Sequence, residues 1–517
     1  MTAIKNQWSV CCLVLTFLIF LGGPLFYDQE AGAEPKGQVT ILVPTSFEMT
    51  GGDPHTSTGD TATTIIALLH DGLLVNLSDG KLHPAIGKSW KMDENWKFVT
   101  FKLNTKAKFH DGTPVTAEDV KYSLDRVKRL KGYFAPVFNK YIDRVEVVDP
   151  ETVRIYFKLP YIAVFSNLAR YIGIVPKHYV EKVGDVEFAQ KPIGAGPFKV
   201  VDIKQDVHVK AEAVNNHYRK TPNVKYLNVL FIAESATRYA MLKSGEADVS
   251  WADPPTYQSI LKDPSLKVLM SKYTYLRTLA FYDLAFPDEK SPFLDLRVRQ
   301  AAAYAIDYRG ITQNVEHGTA EPFGDILPPY ATGYDPSIKP WPYDPEKAKA
   351  LLKEAGYPNG FDTIITSDNP VKDSTEAIAA SLAKVGIRAK INIPEHGIWN
   401  REIREKKLKG LGSHPGPWWA GYSHPGMALN SHLGKTSDWV YYNKPEIADA
   451  VDKLMSMTDE KKMAPIVRQV SKQYREQLIR ANLWAIHIPY VTGPRVKFWQ
   501  NPPGHIFSSR YEFLELN

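Results

Sequence analysis

The side chains best suited to binding chemistry lie in an aromatic segment, PWWAGYSHPG, at residues 417–426. Trp418, Trp419, Tyr422 and His424 stand together there without a carboxylate, an ammonium or a guanidinium group. Flat rings of this kind stack on flat or apolar faces of a ligand, and each contributes about 0.5–2 kcal/mol of cation–π attraction toward a cation. Two prolines and two glycines disfavour a helix, so the segment is predicted to be a loop. It is interpreted as a ligand-binding wall, with lobe core as the alternative.

Metal and catalytic chemistry find little support in the sequence. His414, His424 and His432 are spaced by ten and eight residues, which fits no compact metal-ligand motif. There is no G-x-S-x-G or H-E-x-x-H motif, and the S-x-x-K match at residues 381–384 lies in an amphipathic helix pattern without its companion motifs. No cofactor, no metal site and no enzymatic activity are therefore predicted.

Composition and charge argue against nucleic acid as a partner. The chain has 517 residues, a formal net charge of +6, and a hydrophobic share of 44%. The positive charges are spread along the chain, so they favour solubility and weak steering over a nucleic-acid footprint. The length allows two to four domain-sized units.

The amino-terminal residues have the pattern of a secretory signal peptide. Lys5 precedes the apolar run at residues 10–23, and Ala31-Gly32-Ala33 forms a small-residue cleavage site. The run is shorter than the roughly 20 residues of a membrane span, so cleavage after Ala33 is expected, with a retained anchor as the alternative. The two cysteines, Cys11 and Cys12, would be removed with it, leaving no disulfide or thiolate chemistry.

The remaining patterns predict an α/β protein with several sheets. Residues 38–44 are predicted to form a buried strand, and residues 145–159 a hairpin about Asp149-Pro150. Thr116 and Asp119 form a capping box ahead of a helix whose apolar face continues to residue 127. Asp344-Pro345 is the start of another helix.

Five stretches together resemble the family 5 extracellular solute-binding proteins, the peptide/nickel-type components of ABC importers. They occur in the family's order and span the mature chain nearly end to end. They are FKLNTKAKFHDGTPVTAEDVKYSLDRV (residues 101–127), PIGAGPFKV (192–200), SGEADV (244–249), RVRQAAAYAID (297–307) and YDPEKAKALLKEAGY (343–357). Most of these motifs are interpreted as scaffold, with Gly194 and Gly196 forming a tight turn and not a phosphate loop.

The resemblance implies a two-lobed periplasmic binding protein fold of type II, with an extra subdomain in the first lobe. The implied parts are a signal peptide (1–33), lobe I (34–71, 172–277 and 488–517), the extra subdomain (72–171) and lobe II (278–487). The chain would cross between the lobes near residues 277 and 488, which would act as hinges. The implied partners are a small solute, an ABC permease pair and its cytoplasmic ATPase, and a periplasmic monomer is expected.

The resemblance also implies further binding residues. Glu48, Met49 and Thr50 match a family stretch that faces the ligand, while Trp251 ends a predicted strand, where open α/β sheets meet ligands. Tyr275 and Tyr282 flank the first implied crossing. Packing is the alternative for each of these residues.

One departure from the family pattern concerns the aromatic segment. In peptide-binding members, an aspartate after the tryptophan takes the peptide's amino group; here its position falls at or beside Gly421, and a second acid position falls at His424. Because a buried ammonium needs a paired charge, a free amino group held in the usual way is not expected, unless Asp438 or Glu402 substitutes. A peptide-like solute, a carbohydrate, an aromatic acid or a metal chelate such as nickel remain open, as does a chaperone-like binder.

Overall fold

The architecture is that of one large mixed sheet and one smaller antiparallel sheet, each covered by helices. A computed structural model of the chain describes residues 34–44, 52–56, 60–77, 81–130, 132, 134–161, 163–204, 206–368, 371–418, 424–435, 437, 439–442, 444–499 and 510–517. No helix within these ranges combines the length and the apolar character needed to cross a bilayer.

The elements follow the predicted alternation of strands and helices. Up to the first long strand they are β1 (Gln38–Val43), α1 (Asp60–Leu69), β2 (Leu74–Asn76), β3 (Leu82–Pro84), β4 (Gly87–Met92), β5 (Phe98–Leu103), α2 (Ala117–Arg129), α3 (Ala135–Tyr141), β6 (Ile142–Asp149), β7 (Thr152–Phe157), α4 (Val164–Arg170), α5 (Lys177–Gln190), β8 (Phe198–Lys204), β9 (His208–Ala213), β10 (Tyr226–Phe231), α6 (Ser235–Ser244), β11 (Val249–Trp251), α7 (Pro254–Leu261) and β12 (Lys267–Phe281). The remaining elements are α8 (Leu296–Ala305), α9 (Tyr308–Asn314), β13 (Ala320–Pro322), α10 (Pro345–Glu354), β14 (Phe361–Ser367), α11 (Lys372–Ala383), β15 (Ile387–Asn392), α12 (His396–Arg404), β16 (Leu411–Trp418), α13 (Pro425–Leu433), α14 (Pro445–Met455), α15 (Glu460–Glu476), β17 (Arg480–Thr492), β18 (Val496–Phe498) and β19 (Glu515–Leu516).

The large sheet joins two halves through two long central strands. Its order is β15-β14-β16-β12-β17-β11-β1-β10-β9-β8, with β13 paired to β17. β12 and β17 pair antiparallel along most of their length, from Lys267 opposite Thr492 to Ala280 opposite Arg480. We call the side with β1 and β8–β11 the first half, and the side with β13–β16 and α8–α15 the second half.

A separate unit, which we call the small-sheet domain, is built from β4–β7 and helices α2–α4. Its strands form an antiparallel sheet in the order β4-β5-β7-β6, and Phe101, Leu124, Phe138 and Ile155 are completely buried beneath its helices. The predicted capping box is confirmed: the Thr116 hydroxyl accepts from the Asp119 N–H, and the Asp119 carboxylate accepts from the Thr116 N–H at 2.9 Å. This cap fixes where α2 begins and therefore how the helix lies on the sheet.

The aromatic segment is not a loop throughout, so that prediction is wrong at both ends. Trp418 is the last residue of β16, and Pro425 is the first residue of α13. β14 pairs with β16 only over residues 411–413, so Pro417 lies beyond that pairing, at an edge of the ladder where proline is tolerated. Proline at the first helical position breaks no helical hydrogen bond, since that N–H has no partner within the helix.

Candidate functional site between the two halves

The two halves are joined at a bulge in the β12–β17 ladder. Ser271 faces Ile488 and Tyr275 faces Ile486, so residues 272–274 lie opposite His487 alone. Tyr273 has a φ of 52°, and its backbone N–H donates to Nδ1 of His487 at 3.0 Å. A register change at this point lets both strands bend together, which is the geometry of a hinge. The bulge lies within about five residues of the crossings expected near 277 and 488.

Two of the predicted binding residues come together just beyond the bulge. Tyr275 on β12 is directly opposite Trp418 on β16. The half-buried Tyr275 ring packs against the core of the second half, and its centroid lies 5.6 Å from the Arg277 guanidinium carbon. This pairing places the start of the aromatic segment next to the strand that carries the bulge.

Two other predicted residues face the interior of the second half. The Tyr282 side chain is only 1% exposed, and its ring packs 4.6 Å from the ring of Tyr441; burial raises the pKa of its phenol. His424 caps α13: its Nδ1 accepts from the Gly426 N–H at 3.1 Å, and its Nε2 donates to the Met457 carbonyl at 3.2 Å. Both side chains make structural contacts within the second half, and a contact with a solute stays a prediction for each of them.

The remaining predictions divide between the first half and the undescribed residues. Trp251 ends β11 and is half-buried, with its ring edge-to-face against Tyr490 at 6.2 Å between centroids. Of the alternative acids, Glu402 lies in α12, where its carbonyl accepts from the Tyr441 hydroxyl at 3.3 Å. The residues outside the described ranges are Glu48, Met49, Thr50, Trp419, Gly421, Tyr422 and Asp438.

A cleft of about 420 Å³ opens between the small-sheet domain and the second half. Its lining combines apolar side chains such as Phe134, Val137 and Trp439 with the amides of Asn167 and Asn430, and Lys128, Arg129 and Arg404 add positive charge. Such a mixture suits an amphipathic solute of small-peptide size.

Contacts on one side of this cleft hold the small-sheet domain to the second half. The Lys140 ammonium is 2.9 Å from the Asp452 carboxylate, and both side chains are about three-quarters buried. Beside this ion pair, Met427 and Met455 of the second half join the apolar core of the small-sheet domain. The small-sheet domain and the second half are therefore in contact along one edge of the cleft.

The sequence interpretation missed both the 420 Å³ cleft and Arg277. The cleft is assembled from α2, α3, α13 and α14, which are far apart in the chain, so no local pattern indicates it. Arg277 did leave a signal: it is the one charged residue between Tyr273 and Tyr282, in an otherwise largely apolar strand. No group of three or more His, Cys, Asp or Glu side chains within the described ranges is arranged to hold a metal ion.

Two halves of one mixed sheet are joined by two long strands that share a bulge, and a cleft lies between the small-sheet domain and the second half. This arrangement defines a two-lobed binding protein. Residues 81–439 match the family described as bacterial extracellular solute-binding proteins, family 5 Middle, and the chain belongs to this family. The predicted family, the two-lobed fold and the role of solute-binding receptor of ABC importers are thereby confirmed.

Individual relatives agree with this assignment. The chain is 30% identical to heme-binding protein A of Haemophilus influenzae, over 75% of this chain and 76% of that protein. It is 28% identical to the glutathione-binding protein GsiB of Pectobacterium atrosepticum, over 88% of each chain. The structure superimposes with a TM-score of 0.81 on the binding protein AgaA of A. tumefaciens R10 in complex with agropinic acid, at 26% identity and covering 93% of this chain and 99% of that one.

Proposed function

We propose that the chain binds a small peptide-like solute between its two halves, closes on it, and delivers it to an ABC permease pair driven by a cytoplasmic ATPase. The observation that carries this proposal is the bulge at Tyr273 and His487, because it lies where both strands pass between the halves. Binding energy would shift an open–closed equilibrium without making or breaking a bond, so the protein is not an enzyme. It would act as a periplasmic monomer released by cleavage after Ala33.

The similarity to a glutathione-binding protein over 88% of the chain supports a peptide-like solute. The 420 Å³ cleft has room for a solute of that size, and its amides and aromatic side chains match peptide groups. The absence of an acid at Gly421 argues against recognition of a free amino group in the manner of the family's peptide binders.

A small organic acid is the second candidate, because the superimposable AgaA structure contains agropinic acid. The aromatic residues Trp418, Trp419 and Tyr422 suit either candidate, since ring stacking does not depend on a peptide backbone. Heme is a further solute named among the relatives.

The test is native mass spectrometry of protein purified from the periplasm of its own host, before and after denaturation releases any bound solute. The released solute is then titrated back by calorimetry, together with glutathione and agropinic acid. A peptide-like solute supports the first candidate, and an organic acid that is not a peptide supports the second. If no solute is released and neither probe binds, the proposal is wrong. Amino-terminal sequencing of the same sample, with Glu34 expected as the first residue, tests the cleavage site.

A further inference from the structure

Arg277 is buried in β12, and among the described residues it has no counter-ion. The residue is 2% exposed, and within the described part of the chain its Nε and Nη1 are enclosed with no hydrogen-bond partner. Among the same residues, no carboxylate oxygen lies within 4.0 Å of its guanidinium nitrogens. The contact that its guanidinium does make is with the ring of Tyr275. An ionised group removed from water in this way is strongly disfavoured unless something compensates its charge.

Three other largely buried arginines have carboxylate or carbonyl partners. Arg126 pairs with Asp53 and Asp185 at 2.5 and 2.8 Å, and Arg219 pairs with Asp71 and Glu512 at 3.0 and 2.7 Å. Arg299 lies in α8 and donates to four backbone carbonyls. These three guanidinium groups are held by carboxylates or carbonyls, whereas Nε and Nη1 of Arg277 have no partner among the described residues; Nη1 of Arg510 shares that condition.

The position of Arg277 is the second part of the argument. It shares a face of β12 with Tyr275, since side chains two residues apart point the same way along a strand. Tyr275 is opposite Trp418, where the aromatic segment begins, and it immediately follows the bulge at residues 272–274. The uncompensated guanidinium thus lies close to the bulge, on the strand that pairs with the backbone of Trp418.

We propose that Arg277 binds a carboxylate of the transported solute, so that the receptor is specific for solutes that are anionic at the end nearest the hinge. A carboxylate can accept two parallel N–H···O bonds from a guanidinium, which gives both strength and orientation. This inference rests on the proposed function and adds to it the charge of the solute.

The first experiment separates a binding role from a structural one. Arg277→Met removes an uncompensated charge, so the solute-free protein should have a Tm equal to or above that of the wild type. Arg299→Met is the matched control: it removes a buried arginine that has four carbonyl partners, and its Tm should fall. A Tm in Arg277→Met that falls as far as in Arg299→Met would overturn the proposal.

The second experiment measures charge selectivity by calorimetry with three probes: the solute released from the host periplasm, glutathione, and glutathione diethyl ester. The released solute should carry a carboxylate. The wild type should bind the free acid about tenfold or more tightly than the ester, and Arg277→Met should lose this difference while Arg277→Lys keeps part of it.

The outcomes distinguish the two proposals. If the acid and ester bind equally to the wild type, if Arg277→Met keeps the selectivity, or if the released solute has no acidic group, then the role of Arg277 is wrong and the receptor function stands. If nothing is released and no probe binds, the receptor function fails, and the role of Arg277 fails with it.

Discussion

The backbone N–H of Tyr273 donates to Nδ1 of His487 across the bulge where the two long strands connect the halves of the molecule. The His487 ring also lies edge-on to the Tyr273 ring, at 5.2 Å between centroids. The backbone N–H of His487 donates to the Thr319 carbonyl. His487 thus links β12 to the second half at the point where the two halves join.

Replacing His487 with Phe should weaken solute binding and lower the Tm together. The variant keeps an aromatic ring but leaves the Tyr273 N–H without its acceptor, at a cost of about 1–3 kcal/mol. Calorimetry with the released solute and a thermal melt measure the two effects. His208→Phe is the control, because His208 pairs with Asp202 on the edge strands of the first half. Equal losses of affinity in both variants would show that the hinge contact has no special role.

Stability should decrease as the pH falls from about 7 to 4. Burial lowers the pKa of His55, His110 and His424 to about 4 each, and that of His70 to about 3. Each ring is therefore neutral when folded but takes up a proton below about pH 6.5 when unfolded. The unfolded state then binds more protons, so acid favours unfolding throughout this window. Thermal melts recorded from pH 8 to pH 4 check whether the Tm falls as the pH is lowered.

His424→Asn should make that pH dependence less steep. Asparagine is a good N-cap residue, so it can accept from the N-terminal N–H groups of α13 without titrating. The difference in Tm between the variant and the wild type should therefore favour the variant more at pH 5 than at pH 8. A constant difference across the range would mean that His424 does not titrate on unfolding as its burial implies.

Gly194→Ala should prevent stable folding. An added Cβ would lie 1.9 Å from the Leu69 carbonyl oxygen, which is backbone and cannot move aside cheaply. The chain bends at residues 195–197, and the end of α1 passes directly against Gly194 and Gly196. The yield of soluble protein and the thermal melt measure the loss. Gly112→Ala is the control: it has a φ of 87° but nothing within 4 Å of the added atom, so only backbone strain is expected. Similar losses of yield and Tm in the two variants would show that the contact with the Leu69 carbonyl is not the cause of the destabilisation.

The sequence predicted this protein best where the determinants are local. The cap at Thr116 and Asp119, the start of α10 at Asp344 and the hairpin about Asp149-Pro150 each depend on a few adjacent residues, and all are present. The resemblance supplied what local patterns cannot, namely that distant segments form two lobes.

The site was harder to predict, for physical reasons. His424 belongs to an aromatic and polar segment whose two prolines disfavour a helix, but in the structure its ring caps the helix α13. Tyr282 looks the same in sequence whether it lines a cleft or fills a core, and only the structure shows that it shares a buried cluster with Trp399 and Tyr441. The compensation of a charge such as Arg277 depends on several strands at once, so it becomes visible only in three dimensions.

The ion pair between Lys140 and Asp452 should favour the closed form by a modest amount. The two side chains belong to the small-sheet domain and to α14, and both remain partly exposed, which limits the value of the pair to about 1 kcal/mol or less. Lys140→Ala and Asp452→Ala should each reduce the affinity for the released solute by about fivefold or less. The exchanged variant, with Lys140→Asp and Asp452→Lys together, should recover part of that loss because attraction across the contact is restored. Small-angle X-ray scattering of the solute-free variants should show a larger radius of gyration in the two single variants than in the exchanged one. If all three variants scatter and bind alike, the contact does not control closure, and the apolar packing of Met427 and Met455 holds these surfaces together without it.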